Sequence, residues 1–215
     1  MKKYVLILAF LISFNANARI ITGEECGNGC SWNFDTDTKT LTISGNGKIT
    51  SAPWSKDQNI QATSLIVEEG ITNLGSWNFS KNNMKDVTKV SLPKSLEGFG
   101  AGIFYYSSLL KTLLIPENVS RIEEKSFQNT NIDVLYCAKK AENLCRRILE
   151  TSNKSADILI TYEKTKEGLY KSDGKIYISV DDIKSGNYIP KRIYTVEEAS
   201  KVSKRTGNTF KLRYK

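Results

Sequence analysis

Residues 91 to 104 read SLPKSLEGFGAGIF, and residues 114 to 127 read LIPENVSRIEEKSF. The second stretch replaces most of the charged and small letters of the first and keeps most of the apolar ones in place. A third copy stands upstream. The three align without gaps over fifteen positions as LIVEEGITNLGSWNF (65–79), VSLPKSLEGFGAGIF (90–104) and LLIPENVSRIEEKSF (113–127), with starts 25 and 23 residues apart. The recurring positions are Leu65/Val90/Leu113, Val67/Leu92/Ile115, Ile71/Leu96/Val119, Leu74/Phe99/Ile122 and Phe79/Phe104/Phe127, and every one is apolar. A period in the low twenties marks units too small to bury an apolar face alone, which do so by stacking on their neighbours. Each unit opens with apolar-x-apolar, the alternation of a short strand with one face inward. Pro93 and Pro116 end that strand, because proline has no amide hydrogen for a ladder. The apolar spacing that follows is irregular and predicts a turn with little regular structure.

The unit written at 113–127, apolar-x-apolar-Pro-x-x-Val-x-x-Ile-x-x-x-x-Phe, resembles the leucine-rich repeats of the BspA-like, Treponema-type class. The resemblance extends upstream through CGNGCSWNFDTDTKTLTISGNGKIT (26–50), APW (52–54) and SLIVEEGITNLG (64–75), and so covers residues 26 to 136. The chain departs from the family pattern at Trp77-Asn78, where a small residue usually precedes the Phe, and at Gly98 and Arg121. The resemblance implies a secreted or surface protein of bacterial type that adheres to host proteins, other cells or matrix.

An open stack exposes apolar core at both ends and needs caps. Upstream, Trp32-x-Phe34 and Leu41-x-Ile43 flank the turn-rich DTDTK and predict a β-hairpin. Downstream, IDVLYC (132–137) predicts a last strand, AKKAENLCRRILETSN carries helical spacing through Ala138, Ala141, Leu144, Cys145, Ile148 and Leu149, and DILITY (157–162) returns as a strand. Beyond Glu163 the chain is polar and turn-rich. A hairpin is expected around Ser172-Asp173-Gly174, a helix from Val196 to Lys204 behind the capping box Thr195-Val196-Glu197-Glu198, and a half-exposed strand in TFKLRY. The expected fold class is α+β, mainly β: a short leucine-rich-repeat solenoid with an N-terminal β-hairpin cap, a strand-helix-strand C-terminal cap and a small α+β tail. The expected boundaries are 1–18, 19–60, 61–163 and 164–215.

The first of these segments is a signal peptide by its pattern. Lys2 and Lys3 precede the apolar run Tyr4 to Phe14, and Ala16-Asn17-Ala18 offers a small-x-small cleavage site. No later stretch approaches the ~20 apolar residues of a membrane-spanning helix. Export makes disulfides the natural state of Cys26, Cys30, Cys137 and Cys145. Of the three possible connectivities, Cys26–Cys30 with Cys137–Cys145 closes the shortest loops, and the others stay open.

The chain carries 31 basic and 23 acidic residues and no histidine. Its basic excess thickens between Lys184 and Lys215 without the aromatic interleaving of a nucleic-acid motif, so no specific nucleic acid is expected. A nucleophile needs an activating base, usually histidine. The adjacent carboxylates Glu68-Glu69, Glu123-Glu124, Asp181-Asp182 and Glu197-Glu198 read as solvated surface, and Asp35-x-Asp37 lacks the glycine and closing glutamate of a calcium loop. No catalytic, metal or cofactor site is expected. The candidate site is a binding face, made by the residues between the buried strand positions: Ser64 and Ile66, Lys89 and Ser91, Thr112 and Leu114. Its expected partner is a protein or cell-surface ligand. Two further readings are an envelope-anchoring protein whose basic tail meets an anionic envelope component, and an exported effector with activity in 164–215.

Overall fold

The structure is a computed structural model and describes residues 19–80, 84–151, 158–166, 168, 170–173, 175–177 and 180–185. The signal peptide, the helix expected over 196–204 and the TFKLRY strand lie outside these residues. The described elements are β1 (Ile20–Gly27), β2 (Cys30–Asp35), β3 (Thr40–Gly45), β4 (Gly47–Lys48), β5 (Ser64–Val67), β6 (Ile71–Asn73), β7 (Lys89–Ser91), β8 (Gly98–Phe99), β9 (Thr112–Ile115), β10 (Arg121–Ile122), β11 (Val134–Ala138), α1 (Glu142–Thr151), β12 (Ile158–Lys164), β13 (Tyr170–Ser172), β14 (Lys175–Tyr177) and α2 (Val180–Ser185). The fold is mainly β with few helices.

The repeated units run along three parallel tracks. In the first, β3, β5 and β7 pair in parallel with Leu41, Leu65 and Val90 in line, and β9, β11 and β12 do the same with Leu113, Leu135 and Leu159. In the second, β4, β6, β8 and β10 pair in that order. The third is a ladder of turns: the amides of Trp77, Gly102, Phe104 and Tyr106 donate to the carbonyls of Ala101, Glu124, Ser126 and Gln128. The sequence spacing predicts only an irregular turn after each proline, yet short strands stand there in β6, β8 and β10. Two or three residues of parallel pairing are too short to leave a period-2 signature.

All five recurring columns point into one core, where most of their members are fully buried. The aromatic column is continuous: Trp54 stacks on Phe79 at 5.3 Å, Phe79 on Phe104 at 6.3 Å, and Phe104 lies 5.6 Å from Phe127. A sixth column, Ala62, Val87, Leu110 and Ile132, is equally buried and precedes each strand by two residues.

The expected hairpin is present as β2 and β3, and β1 adds an antiparallel strand outside it. Trp32 of β2 meets Trp54 edge-on at 6.1 Å. At the other end α1 connects β11 to β12, which return in parallel to each other, and β13 and β14 extend the same sheet as an antiparallel hairpin. Disulfides join Cys26 to Cys30 and Cys137 to Cys145. The second ties the end of β11 to α1.

Candidate protein-binding face

Strand alternation sets the candidate face. In β5, Leu65 and Val67 turn into the core, leaving Ser64 and Ile66 outside. Parallel pairing then places Lys89 beside Ser64 and Ser91 beside Ile66. Thr112 and Leu114 occupy the corresponding outer positions of β9, in line with Val134 and Tyr136 of β11. Lys89, Ser91 and Thr112 are exposed, Ser64 is half-buried, and Ile66 is 38% exposed, unusually open for a β-branched apolar residue in a sheet.

Leu114 departs from the open face. A second apolar cluster covers the outer side of the sheet from β9 onward: Tyr136, Ala138, Tyr162 and Ile183 are buried, with Leu114, Val134, Ile160 and Tyr170 packed against them. Ile183 comes from α2 and Tyr170 from β13, so residues beyond Glu163 close half of the face. The Tyr170 ring stands 5.6 Å from Tyr162, and Lys184 lies 5.8 Å from the Tyr136 ring centroid while pairing with Asp181 at 2.9 Å. Burial raises the phenols of Tyr162 and Tyr136 above their ordinary values, and for Tyr162 the neighbouring Tyr170 and Glu117 add to the shift. Both phenols are therefore neutral packing groups. The open face consists of Ser64, Ile66, Lys89, Ser91 and Thr112.

Two carboxylates in and beside the repeats serve backbone ties. Glu69 accepts the amides of Lys94 and Ser95 at 2.9 and 3.1 Å, so one unit's turn holds the next, and Asp35 accepts the amides of Asp37 and Thr38 at 2.8 and 3.2 Å inside the β2–β3 turn. Those bonds, to Lys94 and Thr38 first, lower both acids below their ordinary values. Among the described residues no group of three or more His, Cys, Asp or Glu is placed to hold a metal, and no helix is long and apolar enough to cross a membrane.

On the turn track, away from the strand face, Trp77 and Tyr106 are 46% and 49% exposed and both adopt positive φ. Tyr105 stands between them, 5.5 Å from Trp77 and 4.5 Å from Tyr106, edge-on to each. Trp77 is the sequence's own departure from the repeat pattern. Its equivalents are Gly102 and Lys125, which share the left-handed backbone, and its benzo ring lies where a Gly102 Cβ would be, 2.4 Å from Cε3.

A family model described as BspA type leucine rich repeat region matches residues 35–156 in six copies. Among solved structures, a leucine-rich repeat protein from Eubacterium ventriosum ATCC 27560 is similar at 18% identity and a TM-score of 0.49, over 72% of this chain and 49% of that one. The chain thus spans about half the length of that relative. A leucine-rich repeat protein from Bacteroides capillosus ATCC 29799 is similar at 15% identity and a TM-score of 0.39, over 54% of this chain and 97% of that one. A comparison with curated proteins finds no match. With six repeats matched across more than half of its length, the chain belongs to the BspA type leucine-rich repeat family.

Proposed function

We propose that the chain is an exported, non-enzymatic recognition module that binds a protein or cell-surface ligand through the exposed outer positions of β5, β7 and β9. Repeats of this family generally bind proteins and typically carry no enzymatic activity. The units form a short solenoid in this reading, with 19–60 and the β11–α1–β12 segment as caps and 164–215 as an appended module. Export is supported by the signal-peptide pattern of residues 1–18 and by two disulfides, which persist in oxidising compartments.

The observation that carries the reading is the face itself. Ile66 stands exposed between hydroxyl and cationic side chains, an apolar centre with a polar rim such as protein interfaces use. The test is a pull-down of residues 19–215 against solubilised host surface and matrix proteins, beside Ile66→Glu. A partner retained by the wild type and weakened about tenfold or more by the variant is the expected outcome. Equal retention by both overturns the assignment of the face, and salt-sensitive retention on anionic vesicles alone would favour envelope anchoring. A chain ended at Glu163 is the poorer test, because losing Tyr170 and Ile183 uncovers Leu114 and Tyr136.

A further inference from the structure

The second track stops at β10. β4, β6, β8 and β10 pair in parallel in that order, so among the described residues β10 has a strand neighbour on one side only. The turn track stops beside it: the carbonyls of Glu124, Ser126 and Gln128 receive amides from the preceding unit, and among the described residues no further unit of the same kind is laid on them. The reason lies in the chain order. After β11 the polypeptide enters α1, supplying a first-track strand and no second-track one.

α1 lies across this end without sealing it. A cleft of about 430 Å³ separates residues 122–128 from Leu144, Arg147 and Ile148. A second cleft, also about 430 Å³, separates residues 117–120 from Lys140, Asn143 and Leu144. Leu144 belongs to both, so a groove follows the chain on either side of β10 with Leu144 as its far wall. Ile122 and Leu144 are the half-buried apolar side chains that face it, and Glu124, Lys125 and Arg147 are exposed along the rim.

The chain itself shows what such an edge accepts. β6 takes β8 and β8 takes β10 as short parallel strands, each time laying an apolar residue in the line Leu74, Phe99, Ile122. An edge with unpaired amides and carbonyls is a template for one more strand. We propose that this groove receives an extended segment of a partner protein, added in parallel to the outer edge of β10 and anchored by one apolar side chain on Ile122 and Leu144. Main-chain bonds supply the affinity and the apolar seat supplies the selectivity. This surface is separate from the strand face around Ile66.

The test uses residues 19–215 and a fluorescent peptide copying residues 117–128, the segment that already pairs on this track. Saturable binding by anisotropy is expected. Two changes should each weaken it about tenfold or more: the peptide with Glu123→Pro, which lacks the amide hydrogen that on this track donates to the preceding strand, and the protein with Leu144→Arg, which fills the groove with a charge. The peptide change leaves the protein untouched, so the proposal stays testable if Leu144→Arg lowers stability. Absence of saturable binding, or equal binding of the native and proline peptides, overturns the proposal.

Discussion

Glu69 lies on the turn after β5, and in the sequence it is one of a pair of acidic letters with the look of solvated surface. Its carboxylate instead receives the amides of Lys94 and Ser95, which lowers its pKa below the ordinary 4.5. An acid whose folded pKa is depressed contributes stability that is present above the ordinary value and is lost as pH falls through the folded one. Glu69→Gln should therefore lower the denaturation midpoint at pH 7, and the difference from wild type should vanish towards pH 2. Chemical denaturation at both pH values checks this. A difference that persists undiminished at low pH would mean that the charge on Glu69 is not what matters. Nothing in the letters Glu68-Glu69 distinguishes the tying residue from its neighbour, because the partner amides are 25 and 26 residues away. The five apolar columns were legible for the opposite reason: each repeats its chemistry at the same offset. The Ala62, Val87, Leu110 and Ile132 column escaped because it precedes the aligned segment and begins with a small residue.

At the scale of elements, strands and helices with their own pattern were readable and elements made by context were not. The β2–β3 hairpin, α1 and the β13–β14 hairpin carry alternation, helical spacing or turn letters. β6, β8 and β10 are two or three residues long, and α2 spans only six residues, Val180–Ser185, so neither shows a period. The covering of Leu114 followed from the same gap, since α2 supplies Ile183. The Cys137–Cys145 bridge spans eight residues and fastens α1 to β11. Replacing both cysteines with alanine should cost roughly 2–3 kcal/mol through the freed loop. Hydrogen exchange should show the amides of α1 exchanging faster while those of β5 and β7 keep their protection. Uniform loss of protection along the chain would instead make the bridge a support of the whole stack.

At the scale of the molecule, the open face exists because units of differing sequence hold their strands in one line, and they do so through a core that no unit completes alone. Phe104 is the centre of that core: it is 1% exposed and meets Phe79 at 6.3 Å, Phe99 at 6.3 Å and Phe127 at 5.6 Å, residues drawn from all three aligned units. Its removal is felt by each of them. The most direct test is equilibrium denaturation of Phe104→Ala, followed in parallel by tryptophan fluorescence, which reports Trp32, Trp54 and Trp77, and by far-ultraviolet circular dichroism. A shared core requires coincident transitions by the two probes and a loss of about 3–5 kcal/mol. An unchanged midpoint, or a fluorescence transition that stays in place while the dichroism moves, would contradict it.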